Sequence, residues 1–186
     1  MTTIEKAILF AVNAHEGMTR KGKDRPYILH PMEVMTVVAG LTEDESVIAA
    51  AVLHDTVEDT DATREDVERA FGARIAALVA AESEDKREEL PAEATWQIRK
   101  QETIDHLQTA PRDVKLICLG DKLANLREIA RDYAVLGDGL WQRFNQKDKA
   151  MHAWYYGSIL RILEGEFGDV PAVTEYRALL RQVFGT

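Results

Sequence analysis

The segment from residue 54 to residue 59 concentrates side chains that can bind a metal ion or carry a proton. They are His54, Asp55, Glu58 and Asp59. They directly follow the apolar run 46–53, which has the composition of a buried helix. If that helix continues to Asp59, side chains four residues apart share its faces, so that the four groups crowd two turns.

Two interpretations of this cluster are open. Like charges repel and burial disfavours ionised groups, so three carboxylates beside an imidazole are costly, and a bound cation would remove that cost. The alternative is a solvated acidic helix end, which is common in a chain with 32 Asp and Glu residues. Because the cluster grows out of an apolar run and not a polar face, we favour a metal site.

Two candidate ligands lie elsewhere in the chain. His30 precedes Pro31, a residue that suits the first turn of a helix. Asp121 and Asn125 fall on one stripe of a helix, predicted over residues 113–130, that is otherwise apolar on most of its circumference. A buried aspartate needs a partner, and a metal held by distant histidines would supply one.

A basic loop covers residues 17–27. It concentrates Arg20, Lys21, Lys23 and Arg25 in a chain whose net charge is −9. Its position just before His30 favours contact with a phosphate or a base over a solvated loop. His15, at the end of the first apolar stripe, is expected to be a structural histidine bonded to the backbone.

Composition excludes several classes of protein. The net charge argues against a protein that coats nucleic acid, because phosphates require a basic face. No apolar run approaches the roughly 20 residues of a membrane span. Cys118 is the single cysteine, so a disulfide framework is excluded and a reducing cytoplasm is the expected location. Oligomeric state is left open, and a homo-oligomer is compatible with the sequence.

The periodicity predicts helices throughout, with no strand pattern or internal repeat, so the expected fold is all-α. Residues 1–186 contain no Ser/Pro/Gly-rich linker, which favours a single domain. The charged run Glu82–Glu89, which includes Lys86 and Arg87, is interpreted as a solvated connection. Gly120 costs the central helix about 1 kcal/mol relative to alanine, and close packing would account for it.

Together these features resemble the HD-domain metal phosphohydrolases. The closest likeness is to the (p)ppGpp hydrolase domain of RelA/SpoT proteins and to its stand-alone form, the small alarmone hydrolases, which include the metazoan SpoT homologues. The likeness extends from about His15 to Arg127 in the order of the family. The matching motifs are Arg20-Lys21-Gly22, Pro26-Tyr27-Ile28-Leu29-His30-Pro31, Leu53-His54-Asp55-Thr56-Val57-Glu58-Asp59-Thr60, Phe71-Gly72 and Asp121-Lys122-Leu123-Ala124-Asn125-Leu126-Arg127.

The resemblance implies a divalent ion, usually Mn²⁺. The implied ligands are His30, His54, Asp55 and Asp121. Two imidazoles and two carboxylates also suit Fe²⁺ or Zn²⁺, so the residues by themselves leave the ion open. The implied reaction is attack of water on phosphorus, which releases pyrophosphate from the 3′ position of guanosine tetra- or pentaphosphate and leaves GDP or GTP.

The resemblance also assigns roles to residues around the metal. Glu58, with Asp59, would orient or deprotonate the water. Arg20 would stack on guanine, Lys21 would offset phosphate charge, and Asn125 would lie near the ribose or base.

Two alternative functions remain from the sequence. One is an HD phosphohydrolase acting on another nucleotide, such as a phosphorylated dinucleotide or a nucleoside phosphate. The other is a non-catalytic nucleotide-binding module, which is disfavoured because the chain retains the full ligand set together with Glu58 and Asp59.

Overall fold

The computed structural model describes residues 1–83, 87 and 89–185. Helices account for most of this part of the chain. Their bounds are α1 Thr3–Ala14, α2 Leu29–Ala39, α3 Glu45–Leu53, α4 Thr56–Asp59, α5 Arg64–Phe71, α6 Ala73–Glu82, α7 Ala92–Thr109, α8 Arg112–Leu136, a 3-10 helix Gly137–Arg143, α9 Lys149–Phe167 and α10 Pro171–Phe184. The described residues form no strand, and an isolated antiparallel bridge joins Thr19 to Pro26. The expected all-α fold is therefore confirmed.

The chain divides into two compact units. The first comprises residues 1–83 and 112–124, and the second comprises the described residues of 84–111 and 125–186. Helix α8 contributes its first half to the first unit and its second half to the second. One domain over residues 1–186 stays a prediction.

Helix α3 is the core of the first unit. Its residues from Val47 to Leu53 are all buried, and α1, α2 and α6 pack against it. A helix that is apolar on every side must be surrounded in this way. Its last buried turn therefore delivers His54 to the interior, where it too is buried.

Local sequence signals set two of the helix starts. Thr2 and Glu5 form a capping box at α1, and Thr63 and Asp66 form another at α5, so each pair satisfies backbone N–H groups that the first turn leaves free.

The predicted continuation of helix 46–53 to Asp59 is wrong. Helix α3 ends at Leu53, and α4 begins at Thr56. The His54 ring bonds to the Ala51 carbonyl at 2.9 Å, and the Thr56 hydroxyl donates to the Leu53 carbonyl at 2.6 Å. These side chains bond to carbonyl groups of the last turn of α3. The series of backbone hydrogen bonds that would continue the helix is therefore interrupted at His54 and Asp55.

Gly120 lies where α8 crosses α2. A Cβ atom there would lie 2.8 Å from Val38 Cγ2 and 3.1 Å from the Val34 carbonyl oxygen. The predicted close packing is confirmed, because an alanine would overlap α2.

The second unit has an aromatic core, in which α7 and α10 pack against α9. The Trp141 ring in the 3-10 helix stacks on the His152 ring at 5.0 Å, and the Tyr176 hydroxyl donates to the Tyr156 carbonyl at 3.0 Å. Trp141 and Tyr176 are both buried in this core. In the part of the chain that the structure describes, no helix is both long enough and apolar enough to cross a membrane.

Candidate metal centre

The four predicted metal ligands converge in the first unit. His30 occupies the first turn of α2, His54 and Asp55 form the break between α3 and α4, and Asp121 lies in the first half of α8. Three of them offer atoms that lie within 4.8 Å of one another: His30, His54 and Asp121. All three side chains are buried.

The distances place both carboxylates against both imidazoles. His30 Nε2 lies 3.1 Å from Asp121 Oδ1 and 3.5 Å from Asp55 Oδ2. His54 Nε2 lies 3.1 Å from Asp55 Oδ1 and 3.7 Å from Asp121 Oδ1. The ring centroids of the two histidines are 5.3 Å apart. Asp55 therefore belongs to the cluster, with each of its oxygens directed to one histidine.

The backbone fixes the orientation of the His54 ring. Its Nδ1 atom lies 2.9 Å from the Ala51 carbonyl, which can only accept, so Nδ1 carries the hydrogen. Nε2 is buried and has no hydrogen-bond partner of good geometry among the described residues. Metal-binding histidines are held in the same way, with one ring nitrogen fixed by a carbonyl and the other facing the ion.

The electrostatics of the cluster are those of a site that needs positive charge. Burial opposes a charged His54, but the Asp55 and Asp121 carboxylates raise its pKa well above the ordinary value. Burial likewise opposes the ionised aspartates, yet His54 and His30 hold the pKa of Asp55 below its usual range, and Lys122 and the histidines do the same for Asp121. Both carboxylates thus favour the ionised form next to the His54 imidazole, which attracts a proton. A divalent cation fits this donor set of two nitrogen and two oxygen ligands.

Glu58 and Asp59 lie on the short helix α4, which follows the predicted ligand Asp55, and both are half-buried. Asp59 accepts a hydrogen bond from the Tyr27 hydroxyl at 2.8 Å, and the same hydroxyl lies 2.7 Å from Asp55 Oδ2. Burial and the two carboxylates raise the pKa of Tyr27 far above its usual value, so the phenol keeps its hydrogen. Tyr27 is a site residue to which the sequence analysis assigned no role, although it stands in the quoted motif before His30.

The basic loop approaches this cluster through Arg20. The loop is closed by backbone hydrogen bonds from Arg20 N to the Arg25 carbonyl at 3.0 Å and from Tyr27 N to the Met18 carbonyl at 2.9 Å. The Arg20 guanidinium lies over the Tyr27 ring, 5.4 Å from its centroid. Lys21 is exposed. Arg20 is therefore linked to the carboxylates of the site through one aromatic ring.

Asn125 and His15 are two further residues with predicted roles. Asn125 lies on α8 one turn after Asp121, in the second unit, and its predicted role is not tested. His15 is buried and its Nδ1 atom bonds to the Ala11 carbonyl at 2.9 Å, as expected for a structural histidine.

Two neighbours of Asp121 were missed by the sequence analysis. Lys122 forms a salt bridge with Asp121 Oδ2. Glu82 is half-buried at the end of α6, and burial raises its pKa to about 7, so the interpretation of a solvated connection is wrong at that residue. Lys86 and most of that run lie outside the described residues, while Arg87 donates to Glu102. The apolar run that precedes Glu82 was the available signal.

The all-α fold thus brings together two histidines and two aspartates that could hold a metal ion, which is the arrangement expected of a helical metal-dependent domain. The chain belongs to the HD domain family, whose model matches residues 7–148. The family resemblance stated from the motifs is confirmed.

Relatives with assigned names extend this comparison. The chain is 38% identical over 129 residues to guanosine-3′,5′-bis(diphosphate) 3′-pyrophosphohydrolase MESH1 of Danio rerio, covering 68% of each chain. It is 34% identical over 128 residues to GTP pyrophosphokinase rsh of Brucella melitensis, covering 68% of this chain but 17% of that protein. Among solved structures, a metazoan orthologue of SpoT that hydrolyses ppGpp superposes with a TM-score of 0.78 and 28% identity, covering 98% of this chain and 96% of the other.

Proposed function

We propose that this protein is a metal-dependent hydrolase that releases pyrophosphate from the 3′ position of guanosine tetra- or pentaphosphate, leaving GDP or GTP. The observation that carries the proposal is the convergence of His30, His54, Asp55 and Asp121, with the buried His54 Nε2 atom directed into the cluster. The substrate follows from the relatives, since MESH1 proteins that resemble the chain over two thirds of its length carry that activity in their names.

The four ligand residues would hold the cation. When bound, it supplies charge that makes water easier to deprotonate and offsets the charge of the phosphate oxygens. The donor set suits Mn²⁺, Fe²⁺ or Zn²⁺, and the family resemblance favours manganese.

Glu58 and Asp59 are assigned to the water. Both carboxylates follow the proposed ligand Asp55 by about one helical turn and are not needed as ligands, so they would be available to the water. One of them accepts the proton of the water as its oxygen adds to phosphorus. The bond from that phosphorus to O3′ then breaks, O3′ takes up a proton to become the 3′-hydroxyl of GDP or GTP, and pyrophosphate is released.

The basic loop is assigned to the nucleotide. Arg20 has a flat guanidinium that can stack on guanine, and Lys21 is an exposed cation that can offset phosphate charge in a protein of net charge −9. Asn125 would contact the ribose or base. The proposed partner is therefore a small nucleotide, and a cytoplasmic location agrees with the presence of a single cysteine, Cys118, which is buried.

A nucleotide panel tests the substrate assignment. Purified protein is freed of metal, loaded with Mn²⁺ and given ppGpp, pppGpp, a phosphorylated dinucleotide and simple nucleoside phosphates, with release of pyrophosphate and orthophosphate measured separately. The proposal expects pyrophosphate from ppGpp and pppGpp. Turnover of the dinucleotide or the nucleoside phosphates alone would favour the alternative nucleotide phosphohydrolase.

A further inference from the structure

The Tyr27 hydroxyl touches two carboxylates to which different roles are assigned. Its oxygen lies 2.7 Å from Oδ2 of Asp55, a proposed metal ligand, and 2.8 Å from Oδ2 of Asp59, a proposed acceptor of the water proton. Asp55 and Asp59 are one turn apart, and the Asp59 N–H donates to the Asp55 carbonyl at 2.9 Å. The Tyr27 hydroxyl thus bridges the side chains of Asp55 and Asp59, whose backbone groups are already linked by a hydrogen bond.

The ring that carries this hydroxyl is held on several sides. It stacks on the His15 ring with centroids 5.0 Å apart and planes inclined by 16°, and its edge meets the His30 ring at 6.0 Å. His15 is buried and fixed by its bond to the Ala11 carbonyl. The Arg20 guanidinium lies over the Tyr27 ring. These contacts hold the Tyr27 ring in place. The position of its hydroxyl therefore determines where the Asp55 and Asp59 carboxylates can bond to it.

We propose that Tyr27 is a positioning residue, whose hydroxyl holds Asp59 at the correct distance from Asp55 for proton transfer from the attacking water. The inference rests on the proposed function. A phenol has one hydrogen, so it donates to one of the two carboxylates at a time and limits the rotation of both. Without the hydroxyl, Asp59 loses a hydrogen bond that orients its carboxylate, and misplacement of a proton acceptor by an ångström is costly to the rate.

One substitution can separate the role of the Tyr27 hydroxyl from the role of its ring. Tyr27→Phe retains the stack on His15 and the contact with Arg20 and removes only the hydroxyl with its contacts to the Asp55 and Asp59 carboxylates. Nucleotide binding through Arg20 should persist, while the chemical step slows. A purely structural tyrosine would show no such division between KM and kcat.

The test compares four variants at saturating Mn²⁺. Tyr27→Phe is expected to lower kcat for ppGpp at least ten-fold and to change KM less than two-fold. Asp59→Ala removes the acceptor and must give the same pattern, and adding Tyr27→Phe to it should lower kcat by less than a further two-fold. The matched control is Tyr176→Phe, which also loses a buried hydroxyl bond but in the second unit, and its kcat should remain within two-fold of wild type.

Several outcomes would overturn the proposal: a Tyr27→Phe kcat within two-fold of wild type, an effect on KM alone, or losses that multiply in the double variant.

If the wild-type protein does not hydrolyse ppGpp, the proposed function fails, and the positioning role is then decided by calorimetric titration of metal-free protein with Mn²⁺. Tyr27→Phe should bind at least ten-fold more weakly, because Asp55 loses the donor that orients it. Unchanged affinity there would refute the role.

Discussion

Asp121 Oδ1 and His30 Nε2 approach to 3.1 Å because Gly120, the neighbour of Asp121, presents no side chain to α2. His30 lies in the first turn of α2, and the Val34 and Val38 side chains that face Gly120 lie on the same helix. The spacing of these two helices therefore sets the spacing of two proposed metal ligands.

Replacing Gly120 with alanine tests this relationship. Overpacking costs about 1–3 kcal/mol, and the better helix propensity of alanine offsets about 1 kcal/mol of that. We expect a lower melting temperature and weaker Mn²⁺ binding, measured by calorimetry. Gly165→Ala in α9 is the matched control, because a Cβ there meets nothing, and it should leave metal binding unchanged and stability equal or higher. A Gly120→Ala protein with wild-type metal affinity would contradict the account.

The ligand set predicts a metal stoichiometry. Protein loaded with Mn²⁺ and desalted should retain about one ion per chain, as for a site with a full set of protein ligands. His54→Ala and Asp121→Asn should each lose it, as elemental analysis would reveal. His106→Ala, on the exposed face of α7, serves as the control and should retain the ion. Retention by both ligand variants would place the metal elsewhere.

Lys21 should affect substrate binding more than chemistry. Since it is an exposed cation in the basic loop, we expect Lys21→Gln to raise KM for ppGpp several-fold and to leave kcat within two-fold. Lys6→Gln on α1 also removes one exposed positive charge and should change neither constant. If the two variants behave alike, the contribution of Lys21 is only to net charge.

The pair formed by Arg127 and Glu175 predicts a pH dependence of stability in the second unit. The Arg127 guanidinium donates two hydrogen bonds of 2.7 Å to the Glu175 carboxylate and lowers its pKa. A carboxyl whose folded pKa is depressed stabilises the protein above its unfolded value of 4.5, and this contribution is lost as pH falls through the folded value. Because the pair is partly exposed, the expected contribution is at most about 1 kcal/mol.

The corresponding experiment is urea unfolding between pH 3 and pH 7. The difference in unfolding free energy between wild type and Glu175→Gln should be greatest at neutral pH and should shrink in acid. Glu93→Gln, at an exposed position in α7, is the control and should show no such trend. A difference that is constant with pH would mean that the pair contributes nothing through its charge.

The sequence predicted which side chains form the cluster more accurately than it predicted the local backbone that positions them. His30, His54, Asp55 and Asp121 stand out because each is polar within, or directly after, an apolar run. The break between Leu53 and Thr56 could not be predicted from periodicity, because it depends on side chains that bond to carbonyls of the preceding turn. Helical periodicity alone favours continuation.

The role of Tyr27 was also beyond the sequence. An aromatic residue before a histidine is ordinary, and its two carboxylate partners are 28 and 32 residues away in the chain. Glu82 is a second case. Its charged neighbours in sequence suggested a solvent-exposed side chain, but in the packed helix α6 the side chain is half-buried. Both errors arise because burial is a property of tertiary packing and not of local composition.

The most direct test of the central claim is product analysis of one reaction. Protein loaded with Mn²⁺ is incubated with ppGpp beside Asp121→Asn, and beside Asp113→Asn as a control on the same helix, where the aspartate pairs with Arg74 at the surface. The account predicts equal amounts of GDP and pyrophosphate from wild type and from Asp113→Asn, with no products from Asp121→Asn or after chelation. Intact ppGpp in the wild-type reaction, or products that persist in Asp121→Asn, would contradict it.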